Sequence, residues 1–507
     1  MQDPALISLT AYFILMMAIG YYGYRNATGD IAEYMLGGRK LHPAVGALSA
    51  GASDMSGWML LGLPGAVYLT GLSSAWIAVG LVVGAYFNYL LVAPRLRVYT
   101  EVADDALTIP DFFEKRFNDT SRSLRIFSSI VIITFFTLYT SSGVVAGGKL
   151  FEISFGLDYE TGLFLTAGVV VAYTLFGGFL AVSITDFVQG CIMFVALILV
   201  PTVAYIELGG YREVTQQIVS VNTNLLGWFS GVTALGLISS LSWGLGYFGQ
   251  PHIIVRFMAI RTLSDIKTAR YIGMSWMMVT IVGAVATGLV GLAYTTATGS
   301  PLTDPETIFI YLSQVLFHPL ITGFLLAAIL AAIMSTISSQ LLVSSSSLTQ
   351  DVYKTFIRRS ASQRELVFIG RLSVLAVSLA AIGLAFDRSS SILTLVSNAW
   401  AGFGAAFGPV ILLSLYWRNM TRNGALAGMI TGAVTVLLWI YTPIEIDGQP
   451  LTAYLYEIVP GFGLAFAATV IVSRMDRHPS ASITKRHDSV VSTITGNGTH
   501  TTTSFKG

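Results

Sequence analysis

The sequence predicts an all-α polytopic membrane protein with about thirteen transmembrane helices. Hydrophobic residues make up 54% of its 507 residues, charged residues only 11%, and the mean hydropathy is +0.71. A soluble domain carries about 25% charged residues at its surface, so a chain this poor in charge requires lipid as its solvent. The net charge of +1 leaves no overall basic character that would attract nucleic acid.

Thirteen apolar stretches are long enough to cross the hydrocarbon core as helices, which takes about 20 residues each. A polar Ser-Ile-Thr-Asp sequence at residues 183–186 is predicted to be a tight turn between the fifth and sixth stretches. The segment 474–507 is rich in serine and threonine and is predicted to be a disordered cytoplasmic tail. The stretches are 5–24, 42–68, 72–93, 124–148, 160–182, 186–207, 228–252, 271–296, 316–348, 366–386, 391–417, 424–442 and 451–473.

The distribution of basic residues predicts the orientation of the chain. Lysine and arginine concentrate on the cytoplasmic side of membrane proteins. With thirteen spans and the N-terminus outside, all but three of the 28 basic residues fall in cytoplasmic segments. Arg256, just after the seventh span, is counted among these cytoplasmic residues. The sequence therefore predicts a multi-pass protein of the cell membrane with its N-terminus out and its C-terminus in.

The second and seventh spans gather glycine, proline, small hydroxyls and aromatics where a plain membrane helix is continuous and aliphatic. Residues 48–58 and 62–65 form the first of these regions, and residues 242–252 form the second. Unwound backbone is tolerated at membrane depth only where it is buried in protein or lines a cavity. Glycine-interrupted helices at matching positions in two halves point to a transporter's binding site. Alternatively, the glycines serve only to let helices pack closely.

The two broken spans divide the chain into two sets of five spans. One set covers 42–207 and the other 228–417, and each begins with a broken helix. Because five is odd, the second set enters from the opposite face, which makes the repeat inverted. The helix at 5–24 and the two helices within 424–473 lie outside this predicted 5+5 repeat.

Two acidic residues in the spans are candidate functional residues. An ionisable group in a membrane span costs roughly 2.5–3.5 kcal/mol on insertion scales, so it is usually functional or paired. Asp54 lies inside the break at 51–57, where freed carbonyls would surround a cation; alternatively, it caps the half-helix that begins at Met55 or Ser56. Asp186 lies at the predicted turn, where an N-cap role is equally open.

The ninth span offers hydroxyl groups on one face. Ala332, Ser335 and Thr336 stand at positions i, i+3 and i+4 of a helix. Oxygen ligands suit a hard cation such as Na⁺. Hydroxyls in membrane helices also bond back to their own carbonyls, so packing remains the alternative.

Four aromatic residues near the breaks lie inside spans instead of at the membrane interfaces. They form a possible wall for a small solute, through hydroxyl and cation–π contacts. Filling of the core is the alternative for each one. They are Trp58, Tyr139, Trp243 and Tyr247.

The chain resembles the sodium/solute symporter family at these same residues, and within it the branch that transports proline. The resemblance runs from the first span to the thirteenth, and only the tail lacks it. The sequence differs from the family pattern at Thr140 and Ser141, beside Tyr139. The matching stretches are residues 36–39, 47–58, 62–67, 243–252, 334–336 and 400–404, followed by Gly408-Pro409.

The resemblance implies a thirteen-helix fold with an inverted repeat of the leucine-transporter type. It implies that Na⁺ is bound by the carbonyls of Ala52 and Met55 together with Ala332, Ser335 and Thr336. It implies that Asp54 and Asp186 serve sodium coupling and that Arg39 serves gating on the cytoplasmic side. The residues that it implies for the proline pocket are Ser56, Gly57, Trp58, Gly62, Tyr139, Trp243, Tyr247 and Pro251.

The sequence thus predicts a secondary active transporter, not an enzyme, that couples Na⁺ entry to uptake of L-proline by alternating access. The alternative is a sodium-coupled symporter of another amino acid, a vitamin or a sugar, which keeps the sodium site and changes the pocket. A membrane-embedded enzyme requires an acid–base or metal constellation in a span, and no such pattern stands out in the sequence. The expected partners are Na⁺, the small solute and the lipid bilayer.

Overall fold

A computed structural model of the chain describes residues 2–26, 31–387 and 391–496. These residues are almost entirely helical, and one short antiparallel hairpin pairs β1 (Glu445–Ile446) with β2 (Gln449–Pro450). The helices are α1 (Gln2–Asn26), α2 (Ile31–Leu36), α3 (Pro43–Asp54), α4 (Leu63–Thr70), α5 (Ala75–Phe87), α6 (Ala93–Val102), α7 (Ile109–Phe117), α8 (Ser123–Phe155), α9 (Tyr159–Glu207), α10 (Tyr211–Val221), α11 (Ala234–Ser242), α12 (Pro251–Ala259), α13 (Asp265–Thr298), α14 (Ile308–Leu316), α15 (Pro319–Ser346), α16 (Gln363–Ala385), α17 (Ile392–Tyr416), α18 (Arg422–Tyr441), α19 (Leu451–Tyr454), α20 (Ile458–Met475) and α21 (Ala481–Thr495).

Ten helical runs within the described residues are long and apolar enough to cross a membrane, and a shorter apolar helix covers Tyr159–Leu175. One of the ten, Trp58–Val102, contains the second half of a broken span together with the next span. The predicted all-helical membrane architecture is therefore confirmed at this level. The count of thirteen spans and the orientation stay predictions.

The core of the bundle lies around α15. Residues 325–342 of this helix are all buried, although their sequence is as apolar as that of lipid-facing helices. α15 packs against α1, α3, α8, α9 and α16, whereas α18 and α20 expose one face. The hydroxyl groups of α15 thus lie in the interior of the protein and not towards lipid.

The predicted tight turn at 183–186 is wrong, because α9 continues through it. The helix instead bends at Gly178, whose φ of 59° and ψ of −161° suit glycine alone among the residues. The polar residues do not need a loop, since Thr185 donates its hydroxyl to the carbonyl of Ala181 at 3.1 Å. Asp186 consequently lies inside a helix and is fully buried.

The prediction of a disordered tail over 474–507 is wrong for α21. Ile483, His487 and Val490, spaced by four and three residues, are buried, and the helix packs against α6. Arg418 fixes it from outside through two hydrogen bonds of 2.8 Å to the carboxylate of Asp488. Three such positions are too few to predict a helix from the sequence, because the helix is stabilised by the surface of the bundle against which it packs. Residues 497–507 lie outside the described part of the chain.

Candidate functional site

The second predicted span is broken, as its sequence predicts. α3 ends at Asp54, and Met55 leaves the helical region with φ −81° and ψ 72°. The N–H of Ser56 donates to the carbonyl of Asp54 at 2.9 Å, and that of Met59 donates to the carbonyl of Ser56 at 3.0 Å. In an unbroken helix these two N–H groups donate to the carbonyls of Ala52 and Met55. Both carbonyls are therefore left without their helical donors inside the bundle.

The seventh predicted span is broken in a different way. After α11, residues Trp243–Gly249 form a 3₁₀ segment, and Gln250 is extended with φ −83° and ψ 105° before α12 begins at Pro251. A Cβ added at Gly249 would lie 2.3 Å from the carbonyl oxygen of Phe403 in α17. Glycine here permits close packing as well as marking the break, and the interpretation of this segment as part of a binding site stays a prediction.

Four of the five predicted sodium ligands meet where α15 passes the break in α3. The hydroxyl of Ser335 donates to the carbonyl of Ala52 at 2.7 Å and also contacts the carbonyl of Ala332 at 3.1 Å. Thr336 donates to the carbonyl of Ala332 at 3.2 Å. The fifth, Met55, is fully buried at the end of α3. Thr336 thus makes the bond back to its own helix, whereas Ser335 joins α15 to the first broken helix.

The chemistry of this group fits a hard monovalent cation. It consists of carbonyl and hydroxyl oxygens, and each hydroxyl that donates to a carbonyl keeps lone pairs of its own. Oxygen ligands of this type suit hard cations, which replace their hydration shell with protein oxygens. We call the group of Ala52, Met55, Ala332, Ser335 and Thr336 the oxygen cage.

Asp54 is fully buried next to the cage and faces the second broken helix. The hydroxyl of Tyr247 donates to its Oδ2, and its Oδ1 has no hydrogen-bond partner among the described residues. Its carbonyl accepts from the indole N–H of Trp58 at 3.1 Å. The carboxylate caps no backbone N–H in the described part of the chain, so the capping alternative does not account for it. It lines a small buried cavity together with Asn88 and Tyr89.

Asp186 lies at the centre of a buried hydrogen-bond network that joins four helices. Its Oδ2 accepts from Ser49 in α3 at 2.7 Å, from Ser339 in α15 at 3.2 Å and from the guanidinium of Arg256 in α12 at 3.2 Å. Ser49 lies three residues before Ala52, and Ser339 four residues after Ser335. The network therefore lies one helical turn away from the oxygen cage on both helices.

Arg256 is not a cytoplasmic loop residue, which corrects its assignment from the sequence. α12 continues the broken span beyond residue 252, so Arg256 is still inside the bundle, where it is fully buried. Its guanidinium donates to Ser49 at 3.1 Å, to the carbonyl of His252 at 2.6 Å and to Ser339. The sequence contains no local sign of this role, because the counter-charge, Asp186, is 70 residues away.

An aromatic cluster connects the two breaks. The rings of Tyr247 and Trp400 lie edge to face with centroids 5.1 Å apart. The indole N–H of Trp400 donates to the carbonyl of Trp243 at 2.8 Å. The ring of Trp243 stacks on Tyr456, with centroids 5.2 Å apart and planes inclined by 25°. Trp400 and Tyr456 were not expected here, although Trp400 lies in a stretch that resembles the family.

The other predicted pocket residues are buried. Ser56 and Tyr139 have buried hydroxyls that face each other, and Tyr139 also lies near Asp54 and Tyr247. Tyr139 lies edge to face with His252, with centroids 6.1 Å apart. Gly57 and Gly62 are buried on either side of Trp58, and Gly62 faces Leu393 of α17. Pro251 lines a separate small cavity with Phe179, Val255 and Ser347.

Arg39, the predicted gating residue, holds together three segments at one end of the bundle. Its guanidinium donates to Asp105 at 2.8 Å, to Thr100 at 3.0 Å, and to the carbonyls of Met258 and Ala106 at 2.9 and 2.8 Å. Burial lowers the pKa of this guanidinium, and the neighbouring Asp105 opposes that change. The contacts join the segment before α3 to the α6–α7 region and to the end of α12.

Known proteins resemble the chain over almost its whole length. The osmoregulated proline transporter of Bacillus subtilis is 60% identical over 480 residues, which cover 95% of this chain and 96% of that protein. The sodium/proline symporter of Staphylococcus aureus is 56% identical over 486 residues and covers 94% of each chain. These relatives are transporters, not enzymes.

The fold resembles that of a solved sodium-coupled symporter. A substrate-bound, outward-open structure of a Na⁺-coupled sialic acid symporter superposes with a TM-score of 0.80 at 18% identity, covering 94% of this chain and 99% of that one. The architecture is thus of the leucine-transporter type, in a multi-pass membrane protein. The model of the sodium:solute symporter family matches residues 34–432. The chain belongs to the sodium:solute symporter family.

Proposed function

We propose that the chain is a Na⁺-coupled symporter that takes up L-proline across the cell membrane by alternating access. The contact between the hydroxyl of Ser335 and the carbonyl of Ala52, at 2.7 Å, is the observation that carries the proposal. It places the oxygens of a continuous helix against those of a broken one. The names of the relatives, a proline transporter and a sodium/proline symporter, support the choice of ion and solute.

In this proposal one Na⁺ binds in the oxygen cage and thereby bridges α15 to the break in α3. Bridging fixes the end of α3, and with it Asp54 and its hydrogen bond to Tyr247. The ion thus orders one wall of the solute pocket. The residues proposed for the whole pocket are Ser56, Gly57, Trp58, Gly62, Tyr139, Trp243, Tyr247 and Pro251. Since the two ligands share this ordering, each raises the affinity of the other by the same factor.

The transport cycle in this proposal uses the rest of the predicted architecture. The chain has thirteen spans, with the N-terminus out and the C-terminus in, and the repeats 42–207 and 228–417 rock against each other around the site. Asp186 and Arg256 hold the first half of the second span, α3, and the second half of the seventh span, α12, to α9 and α15. Arg39 closes the cytoplasmic end until the ion and solute have bound.

The driving force is sufficient for strong accumulation. One positive charge that crosses about 100 mV contributes roughly 2.3 kcal/mol. A tenfold Na⁺ gradient adds about 1.4 kcal/mol. At one Na⁺ per solute, the sum supports an accumulation on the order of several hundredfold.

Uptake of labelled proline into proteoliposomes with an imposed Na⁺ gradient tests the proposal. Thr336→Ala removes one predicted ligand, and an interaction with a charged group contributes about 1.5–3 kcal/mol. The half-saturating Na⁺ concentration is therefore expected to rise roughly ten- to a hundredfold. Thr287→Ala is the matched control, because Thr287 is a buried threonine of α13 that makes the same bond to the carbonyl four residues earlier, at 2.8 Å.

Two results contradict the proposal. Uptake that is independent of Na⁺ rules out the coupling, and equal Na⁺ dependence of Thr336→Ala and Thr287→Ala rules out the cage. Competition by unlabelled amino acids, vitamins and sugars tests the solute. If proline competes no better than these, the chain is a symporter of another small molecule.

A further inference from the structure

Tyr456 lies outside both predicted repeats and yet reaches the aromatic cluster. It follows α19 and lies two residues before α20, in the part of the chain that the sequence assigns to additional helices. Its side chain is only 7% exposed. Its ring stacks on that of Trp243 with centroids 5.2 Å apart and planes inclined by 25°. This stacked arrangement lies at the first residue of the 3₁₀ segment, where the seventh span is broken.

The polar groups of Tyr456 fix the position of its ring. Its hydroxyl donates to the carbonyl of Ser397 in α17 at 2.8 Å, and its backbone N–H donates to the hydroxyl oxygen of Ser239 in α11 at 3.0 Å. The carbonyl of the preceding Leu455 accepts from the indole N–H of Trp439 in α18 at 2.9 Å. The tyrosine is therefore held from three helices and cannot swing away from Trp243.

The backbone of Trp243 is held by a different residue from the one that packs on its ring. Its carbonyl accepts from the indole N–H of Trp400 at 2.8 Å, whereas its own indole ring packs on Tyr456. The backbone of Trp243 is thus set by α17, and the tilt of its ring is set by Tyr456. A change at Tyr456 acts on the ring without breaking the contact between Trp243 and Trp400.

We infer that Tyr456 is a specificity-determining positioning residue, which holds the indole of Trp243 at the angle that the solute meets. This inference rests on the proposed function, in which Trp243 lines the proline pocket. Proline presents a flat apolar ring and a positively charged nitrogen, and both groups pack favourably on an indole face. The tilt of that face sets the ring size that fits, so a segment outside the repeats contributes to solute selection.

Substitutions at Tyr456 separate its ring from its hydroxyl. Tyr456→Phe keeps the stacked ring and loses the bond to Ser397, whereas Tyr456→Leu keeps an apolar side chain and loses the aromatic face. Tyr454→Leu is the matched control, because Tyr454 is a half-buried tyrosine two residues earlier whose hydroxyl also donates to a carbonyl, that of Ile446 at 2.7 Å.

The experiment is a double-mutant cycle between Tyr456→Leu and Trp243→Leu, read out as Na⁺-driven uptake in proteoliposomes. The KM for proline and the relative uptake of analogues with four- and six-membered rings are measured. Tyr456→Leu is expected to raise the KM roughly two- to tenfold, as the loss of one aromatic pair implies, and to change the ranking of the analogues. In the Trp243→Leu background the same substitution is expected to change neither quantity, because it acts through the indole.

An unchanged KM and an unchanged analogue ranking in Tyr456→Leu overturn the inference. So does a double variant whose change in KM is the product of the changes in the two single variants, because the two residues then act independently. The inference is also overturned if the control variant Tyr454→Leu changes the KM and the analogue ranking as much as Tyr456→Leu does, since the effect then belongs to the segment as a whole. If Tyr456→Leu does not reach the membrane, Tyr456→His takes its place, and a wild-type KM in that variant is equally contrary. Absence of Na⁺-driven proline uptake by the unmodified protein is a different result, which rejects the proposed function and the inference with it.

Discussion

Asp54 and Asp186 are both buried carboxylates near the oxygen cage, but their surroundings differ. Asp186 accepts three hydrogen bonds and has a guanidinium, that of Arg256, at 3.2 Å. Asp54 accepts one hydrogen bond from Tyr247 and has no cationic partner among the described residues. A buried charge is stable only when it is paired and hydrogen-bonded or when it binds a cation. The first carboxylate is therefore compensated within the chain, whereas in the proposed function the second is compensated by Na⁺ in the oxygen cage.

The two carboxylates are therefore proposed to have different roles in the same bundle, one in holding helices together and the other in binding the cation. The pair of Asp186 and Arg256 fastens α3, α9, α12 and α15 to one another close to the cage. Asp54 is next to Met55 in the chain, so in the proposed function its carboxylate attracts Na⁺ in the cage without being one of the oxygen ligands. Substitutions at the two positions should thus affect different quantities, namely folding for one and Na⁺ affinity for the other.

The largest effect is expected for Arg256→Met. Removal of one partner of a buried ion pair leaves an uncompensated charge and costs about 3–5 kcal/mol. The variant should show a much lower thermal unfolding temperature in detergent, and less folded protein in the membrane. The double variant Arg256→Met/Asp186→Asn should recover most of the lost stability, since it removes both charges. A single variant as stable as the unmodified protein contradicts the structural role of the pair.

The next effect is expected for Asp54→Asn, and it should be on Na⁺ affinity. A unit charge within about 10 Å of a cation contributes roughly 1.5–2 kcal/mol at an effective dielectric constant of about 20. The half-saturating Na⁺ concentration should therefore rise at least about tenfold. The unfolding temperature should stay close to that of the unmodified protein, because no partner charge is left behind. Loss of stability as large as that of Arg256→Met would erase the distinction between the two carboxylates.

A smaller effect is expected for Arg39→Ala, which removes a compensated charge at the end of the bundle. Loss of its four hydrogen bonds should loosen the contact between the segment before α3 and the end of α12. A cysteine placed at Ser347, in a Cys191→Ser background, reports how accessible this end of the bundle becomes when the contact loosens. Its alkylation should be roughly tenfold faster in Arg39→Ala than in the protein with Arg39. Arg261→Ala is the control, because this exposed arginine pairs only locally with Asp265 at 2.6 Å. Equal alkylation rates in the two variants would remove Arg39 from gating.

The smallest effect concerns His487 of α21, a buried titratable group that remains neutral. Burial lowers the pKa of this imidazole to about 4, and the nearby Arg116 and Arg95 act in the same direction. The released helix has a histidine with an ordinary pKa of about 6.5, so it binds the proton more readily than the docked one. Docking should thus be strongest above about pH 6.5 and should weaken as the pH falls from there towards about 4.

A fluorophore on a cysteine at Ser492 measures this docking through its anisotropy, again in the Cys191→Ser background. The anisotropy should decrease on acidification over that range. His487→Gln should remove the pH dependence while it leaves the anisotropy at neutral pH nearly unchanged. The same pH profile in both proteins would assign the effect to other groups.

The features that could be predicted from the sequence are those with a local pattern. Glycine, proline and aspartate within an apolar run predict the break in α3 and the break before α12, because these residues disfavour a continuous helix. The three positions 332, 335 and 336 predict a shared face, since helical spacing alone sets it. The structure brings this face to Ala52, and the role of these residues as sodium ligands stays a prediction.

The features that could not be predicted depend on distant parts of the chain. From the sequence alone, Arg256 is assigned to a loop. Its contact with Asp186 is visible only in the structure, because nothing in the spacing of the two residues predicts it. Gly178 looks like any other small residue of a membrane helix, although its backbone conformation bends α9. Nothing in the sequence around Tyr456 indicates a role near the breaks, and only the packed structure places it on Trp243.

Equilibrium binding of labelled proline to the purified protein, titrated at several Na⁺ concentrations, tests the oxygen cage most directly. The apparent Kd for proline should decrease as Na⁺ increases, and the half-saturating Na⁺ concentration should decrease by the same factor as proline increases. Ser335→Ala and Thr336→Ala should weaken this mutual effect, while Thr287→Ala preserves it. A Kd for proline that is the same with and without Na⁺, or that keeps its full Na⁺ dependence in Ser335→Ala and Thr336→Ala, would contradict the account.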